Sequence, residues 1–327
     1  MTFKSHIHKC ILLLVCLVAG REMLYAGNND FTAVTAWKDG FAAAGPDCGI
    51  VLFSASGAAC DTISAPGGLL CIVSDGDMLV AGGDGILLAW AGGRLFTEHV
   101  DGCVSSAAIL NGQIAAAVRD DASGSFFMLV SSPASSWASG GSTGTATGSG
   151  MLLETTGPKL KCDRLTLSTG LDRCFGITDG GFVISSRNFR EWSEFDFNKT
   201  YEGFYPPLHE TRICAAPHSA MIAGLQPDGT PACYITAGGS VWSSRPLEWG
   251  ENGSWQLLRE RPLALCYDKE ADRFVMACTG GVLFLLPACS HCNSRVRLDS
   301  DSLRSVAAGL YGILFAAGNA GFTSIVR

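Results

Sequence analysis

An all-β fold built from repeated units is predicted by three observations: a nearly duplicated stretch, a recurring glycine turn, and apolar runs too short for helices. The duplicated stretch reads ITDGGFVISSRNFREW from 177 and ITAGGSVWSSRPLEW from 235, with Gly181 and Gly239 in matching places. Composition agrees. Forty Gly, 47% hydrophobic residues and only 16% charged ones describe turns and buried strands, whereas a disordered chain is poor in apolar residues and rich in charge.

In chain order, a Gly precedes a short run of apolar and small residues at Gly49 (IVLFSAS), Gly85 (ILLAW), Gly124 (SFFMLVSS), Gly181 (FVISS), Gly239 (SVWSS), Gly281 (VLFLL) and Gly321 (FTSIV). Most follow another apolar run, such as FAAAG at 41, QIAAAV at 113 or RFVMACTGG at 273. Each unit therefore carries a hairpin of two short strands around a Gly turn. Seven such units, each with flanking strand candidates and a period near 40 residues, predict a seven-bladed β-propeller over residues 27–327. Runs such as IVLF are apolar at consecutive positions, as in strands covered on both faces. A transmembrane barrel would alternate along longer strands, and a pair of β-sandwiches is the remaining all-β rival. Too few residues follow Gly321 for a complete last blade, so its fourth strand is expected from the N-terminal end, around EMLYAG at 22–27.

Lys4 and Lys9 precede an apolar run from Cys10 to Ala19 that is too short to span a bilayer. Residues 1–26 thus read as a secretory signal peptide, cleaved after Gly20 or after Ala26. A lipoprotein reading would use Cys16. The mature protein is expected to be exported, periplasmic, envelope-associated or extracellular, without a transmembrane segment. The whole chain carries a net charge of −7, which argues against a nucleic-acid partner. Residues 138–150, ASGGSTGTATGSG, have nothing to bury and read as a flexible loop.

Three units close with a pair of serines and a Trp: SSPASSW at 131, SSRNFREW at 185 and SSRPLEW at 243. These resemble the Asp-box, S-x-D-x-G-x-x-W, of sialidase-type propellers and the related repeats of Ycf48-like assembly factors. Arg187 stands in place of the motif's Asp and Phe189 in place of its second Gly. In such propellers the motif is structural, its Trp packing on the blade, so the resemblance implies that Trp137, Trp192 and Trp249 lock their blades. A sialidase also needs three Arg on a carboxylate, the first from the opening blade, and residues 27–93 contain no Arg.

Other chemistry is sparse. His99, His209, His218 and His291 form no close pair with metal-ligand spacing. The one CxxC, Cys289 to Cys292, lacks a second ligand pair and reads as a local disulfide or two thiols. Cys71, Cys174, Cys266 and Cys278 lie in apolar runs where Cys acts as a small hydrophobe. No G-x-S-x-G elbow occurs, and AGGDG at 81 lacks the Lys of a phosphate loop. Neither metal nor cofactor is expected. The expected function is a non-catalytic module that binds or assembles other proteins, a carbohydrate-binding or glycan-cleaving propeller and a purely structural domain being the alternatives. The candidate binding residues are Tyr201, Phe204 and Tyr205, because Gly203, Pro206 and Pro207 in YEGFYPP forbid a regular strand. Aromatics on such a stiffened loop lose little entropy on docking. The rival reading folds this loop back over a blade edge.

Overall fold

A computed structural model describes residues 21–25 (backbone), 30–137, 151–251, 254–288, 292–298, 300–301, 303–320 and 322–326. The signal segment apart from 21–25, the 138–150 loop, Cys289, His291 and Gly321 lie outside the described residues.

Antiparallel strands form six radial blades, numbered here in chain order. Blade 1 is Ala33–Trp37, Gly40–Gly45, Gly49–Phe53 and Ala59–Ile63. Blade 2 has six strands: Leu69–Ser74, Met78–Ala91, Arg94–Leu110, Gln113–Arg119, Ser125–Ser131 and Leu153–Lys161. Blade 3 is Leu165–Gly170, Arg173–Thr178, Phe182–Ser186 and Ser193–Asp196, and blade 4 is His209–Ala215, Ala220–Leu225, Pro231–Thr236 and Ser243–Arg245. A two-stranded ribbon, Glu248–Glu251 with Ser254–Leu257, leads to blade 5: Pro262–Asp268, Arg273–Cys278, Val282–Pro287 and Ser294–Arg297. Blade 6 is Leu303–Ala308, Leu314–Gly318 and Phe322–Val326, completed by Arg21–Tyr25 from the other end of the chain.

The seven-bladed expectation is therefore corrected to six. The units that carry Gly85 and Gly124 share one sheet, because Arg94–Leu110 runs 17 residues without a break. Its first part pairs with Met78–Ala91 and its last with Gln113–Arg119. Where other units change blade through a linker, this pair is joined by a continuous strand. The closing strand lies where the sequence placed it: Arg21 to Tyr25 pair antiparallel with Val326 to Phe322.

Packing between blades explains the composition. Second strands near the axis carry runs of alanine, Ala42–Ala44, Ala115–Ala117 and Ala316–Ala317, all without solvent exposure. Small side chains let sheets converge there, while bulkier ones fill the wider gaps farther out. Between blades 6 and 1, Phe315 lies 4.9 Å from Phe41 and 4.8 Å from Phe53, ring to ring.

Inner strands are also tied by small polar side chains. Ser106 Oγ accepts from Leu167 N at 2.9 Å, Ser168 Oγ from Ala215 N at 2.9 Å, and Ser305 Oγ from Val34 N at 3.2 Å. Thr32 Oγ1 donates to Leu69 O at 3.1 Å. Cys71 reaches Val104 O at 3.9 Å, and the Cys266 thiol accepts a backbone bond from Ala308. Ser, Thr and Cys thus do the same work around the ring, satisfying backbone groups that burial would otherwise penalise.

The near-duplicate stretches do not occupy equivalent places. ITDGGFVISS spans the second and third strands of blade 3, around Gly181. ITAGGSVWSSR spans the third and fourth strands of blade 4, around Gly239. The turn in blade 4 that matches Gly181 is PDG at 227–229, with Gly229 at φ +82°. Gly49, Gly124 and Gly281 do mark turns between second and third strands, counting within each half of blade 2. The hairpin expected at Gly85 is corrected: Gly85 lies inside the continuous strand Met78–Ala91, where its register with Arg94–Leu110 shifts, and the turn falls at Gly92 and Gly93. All six described anchor glycines have positive φ, from +64° to +86°.

Candidate functional site

Trp137, Trp192 and Trp249 have three different settings. Trp137 is buried, donates from Nε1 to Ser132 O at 2.8 Å and meets Phe96 edge-on at 5.3 Å. Trp192 is half-buried on the face shared by blades 2 and 3 and donates to Phe189 O at 3.1 Å. Trp249 lies in the ribbon, under the Arg295 guanidinium at 5.4 Å. The expectation that the three Trp play one repeated part is corrected accordingly: Trp192 lies just before the strand Ser193–Asp196 of blade 3, whereas Trp249 lies in the ribbon outside the blades. Cys292 is exposed, while its expected partner Cys289 lies outside the described residues.

The aromatic loop connects blades 3 and 4. After Asp196 caps a single helical turn, Phe197–Thr200, through its side chain, the chain bends at Gly203 with φ +81°. Phe197 is buried, in the helical turn and not in a strand. Tyr201 and Tyr205 are half-buried and hold Trp242 between them: Trp242 N donates to Tyr201 Oη at 2.8 Å, and Tyr205 Oη donates to Trp242 O at 3.4 Å. Tyr205 also packs on Tyr234 at 4.6 Å. Trp242 is 1% exposed. Phe204, at the tip, is 82% exposed, and Val241, beside Trp242, is 72% exposed. The loop therefore splits: its two tyrosines fasten it to blade 4 and its Phe faces solvent. Val241 and Trp242 escaped sequence reasoning because SVWSS was read as a third strand, whereas Val241 and Trp242 belong to the turn before the fourth.

The second concave feature is the axial channel, about 570 Å³. Blade 2 presents two segments to it, 70–75 and 105–109, and each other blade presents its inner strand. Among its lining residues the charged ones are Arg164, Arg212 and Arg304, near the beginnings of their strands, and Asp75, near the end of its own. Burial, then the neighbouring Arg164 charge, brings the Arg212 guanidinium down to about 10. Among the described residues there is no cluster of three or more His, Cys, Asp or Glu able to hold a metal, and no helix long and apolar enough to cross a membrane.

This geometry defines a six-bladed β-propeller. No family model matches the chain, and no curated protein matches it. Among solved structures it is similar to the crystal structure of the WD40 β-propeller domain of Doa1, with a TM-score of 0.63, 12% identity, and coverage of 94% of this chain and 95% of that one. At that identity the likeness concerns the fold.

Proposed function

We propose that this propeller is an exported, non-catalytic module that docks a protein partner on the flank between blades 3 and 4. The observation that carries the reading is Phe204, 82% exposed on a turn whose base is fixed by two tyrosines and a buried Trp. A large side chain held out from a rigid mount loses little freedom when covered, and aromatic anchors dominate interface energetics. Val241, next in sequence to the Trp242 that the two tyrosines hold, is a second exposed apolar side chain. Propellers commonly serve as interaction modules, and the apolar N-terminal segment behind Lys4 and Lys9 supports export. The Ycf48-like assembly factors fit this reading better than sialidases, whose opening-blade Arg has no counterpart.

Tyr201 and Tyr205 hold the fold together, so they are unsuited to test binding. Phe204→Ala combined with Val241→Ser is expected to cut capture of the partner from native extract at least about tenfold, a loss of about 1.4 kcal/mol, with the melting temperature unchanged. Undiminished capture refutes the docking surface. Turnover of fluorogenic glycosides by the purified chain refutes the non-catalytic role.

A further inference from the structure

At the channel mouth where the inner strands begin, blades 3, 4 and 5 bring three guanidinium groups together. Arg164 precedes the inner strand of blade 3, Arg212 lies in that of blade 4, and Arg261 precedes that of blade 5. Arg212 is committed: its Nε donates to Leu263 O at 2.9 Å, and its Nη1 donates to Glu210 O and Thr211 O at 3.0 Å. Arg261 pairs with the Glu210 carboxylate at 3.2 Å. Asp179 accepts from the backbone N of Asp163 and Arg164 at 3.1 and 3.3 Å. Arg164 differs, because its Nε is buried and has no hydrogen-bond partner.

Two carboxylates thus face three guanidinium groups, leaving one positive charge uncancelled and one buried donor unmet. Like charges in a partly desolvated site repel, and a buried unpaired donor costs free energy. Both penalties vanish if an anion with several acceptor oxygens sits against Arg164, since guanidinium forks match such oxyanions. Glu210 is held at φ +51°, a conformation that ordinary side chains adopt at a cost and that persists where surrounding structure enforces it. Its carboxylate acts as an internal anion for Arg261 and would compete with a bound one.

We propose that this mouth binds a small tetrahedral oxyanion of the phosphate class, free or as a monoester, with Arg164 as the principal donor and Glu210 as an internal competitor. The site is built from Arg164, Arg212, Arg261 and Glu210 and uses neither Phe204 nor Val241, so it is independent of the partner reading.

Calorimetric titration of the purified full chain with inorganic phosphate tests it, with phenyl phosphate as the monoester arm. Saturable binding is expected, weakened at least about tenfold in Arg164→Gln and strengthened severalfold in Glu210→Gln. Tighter binding of phenyl phosphate assigns a monoester, and equal or weaker binding assigns the free ion. No saturable heat with either probe overturns the proposal, as does a Glu210→Gln protein that binds no more tightly than the parent. Arg164→Lys keeps the charge without the fork, so it should fold normally and bind weakly. Parent-like binding by the Lys variant would equally overturn the role of the fork.

Discussion

Side chains whose size matters more than their name carry much of the ring. Cys71 and Cys266 lie on inner strands at places where Ser106, Ser168 and Ser305 sit elsewhere, and like them touch the backbone of the next inner strand. Composition made the cysteines visible, and their apolar surroundings made their burial legible. Their bonding did not show, because it depends on which inner strand lies beside which. Burial pushes the thiols of Cys71, Cys214 and Cys233 to about 12 from an ordinary 9.0. A thiol raised in this way favours folding below about 9, and that advantage is lost progressively as pH climbs toward 12, because only the unfolded chain can then ionise. The slope is about 1.4 kcal/mol per pH unit for each thiol. Melting temperature is therefore expected to drop steeply between pH 9 and 10, and replacing these three by Ala should flatten that drop. Exposed Cys60 should react with a thiol reagent in the native state while the buried three wait for unfolding.

Strand-level reading was strong where one turn type recurred and failed where spelling imitated it. Gly124 and Gly281 were correctly read as turns between second and third strands, since a tight hairpin needs positive φ that Gly supplies cheaply. Gly239 matched Gly181 in letters, but PDG at 227–229 had already made the equivalent turn in blade 4, one strand earlier. The blade count erred for a related reason: nothing local in RLFTEHVDGCVSSAAIL distinguishes a strand that ends from one that continues into the next unit. The same turn glycines allow a clean comparison. Gly124 and Gly281 share nearly the same backbone, φ +64° and +68°. An added Cβ meets nothing at Gly124 but comes within 2.2 Å of Ser300 O at Gly281. Gly124→Ala should cost about 1–2 kcal/mol from left-handed strain alone. Gly281→Ala carries the same strain plus a collision with backbone, so urea denaturation should show it to be the more damaging change. Equal losses would mean that the blade 5 hairpin yields easily.

For the whole molecule, what matters is how a ring of sheets is closed. The apolar loop was legible as a cluster of aromatics, and two of its three candidates proved to be mounting points, because only the fold could show that Trp242 stands between Tyr201 and Tyr205. Closure was legible for a simpler reason: EMLYAG at 22–27 has the apolar character of a strand, and a last blade of three strands leaves a row of backbone donors and acceptors unpaired. Such an edge invites pairing with another chain. The five-residue ladder between Arg21–Tyr25 and Phe322–Val326 covers it, joining the two ends of the ring as a clasp. Of the two cleavage positions read from the sequence, that after Gly20 keeps the clasp and that after Ala26 removes it. Chains beginning at Arg21 and at Gly27 are therefore expected to differ. The longer should run as a monomer with one cooperative melt, and the shorter should melt lower and self-associate on size-exclusion chromatography through the bared edge of Phe322–Val326. Sequencing the N-terminus of exported material should find Arg21. Identical melts and elution for both chains would mean that the ring holds through its blade-to-blade faces alone and that the clasp is dispensable.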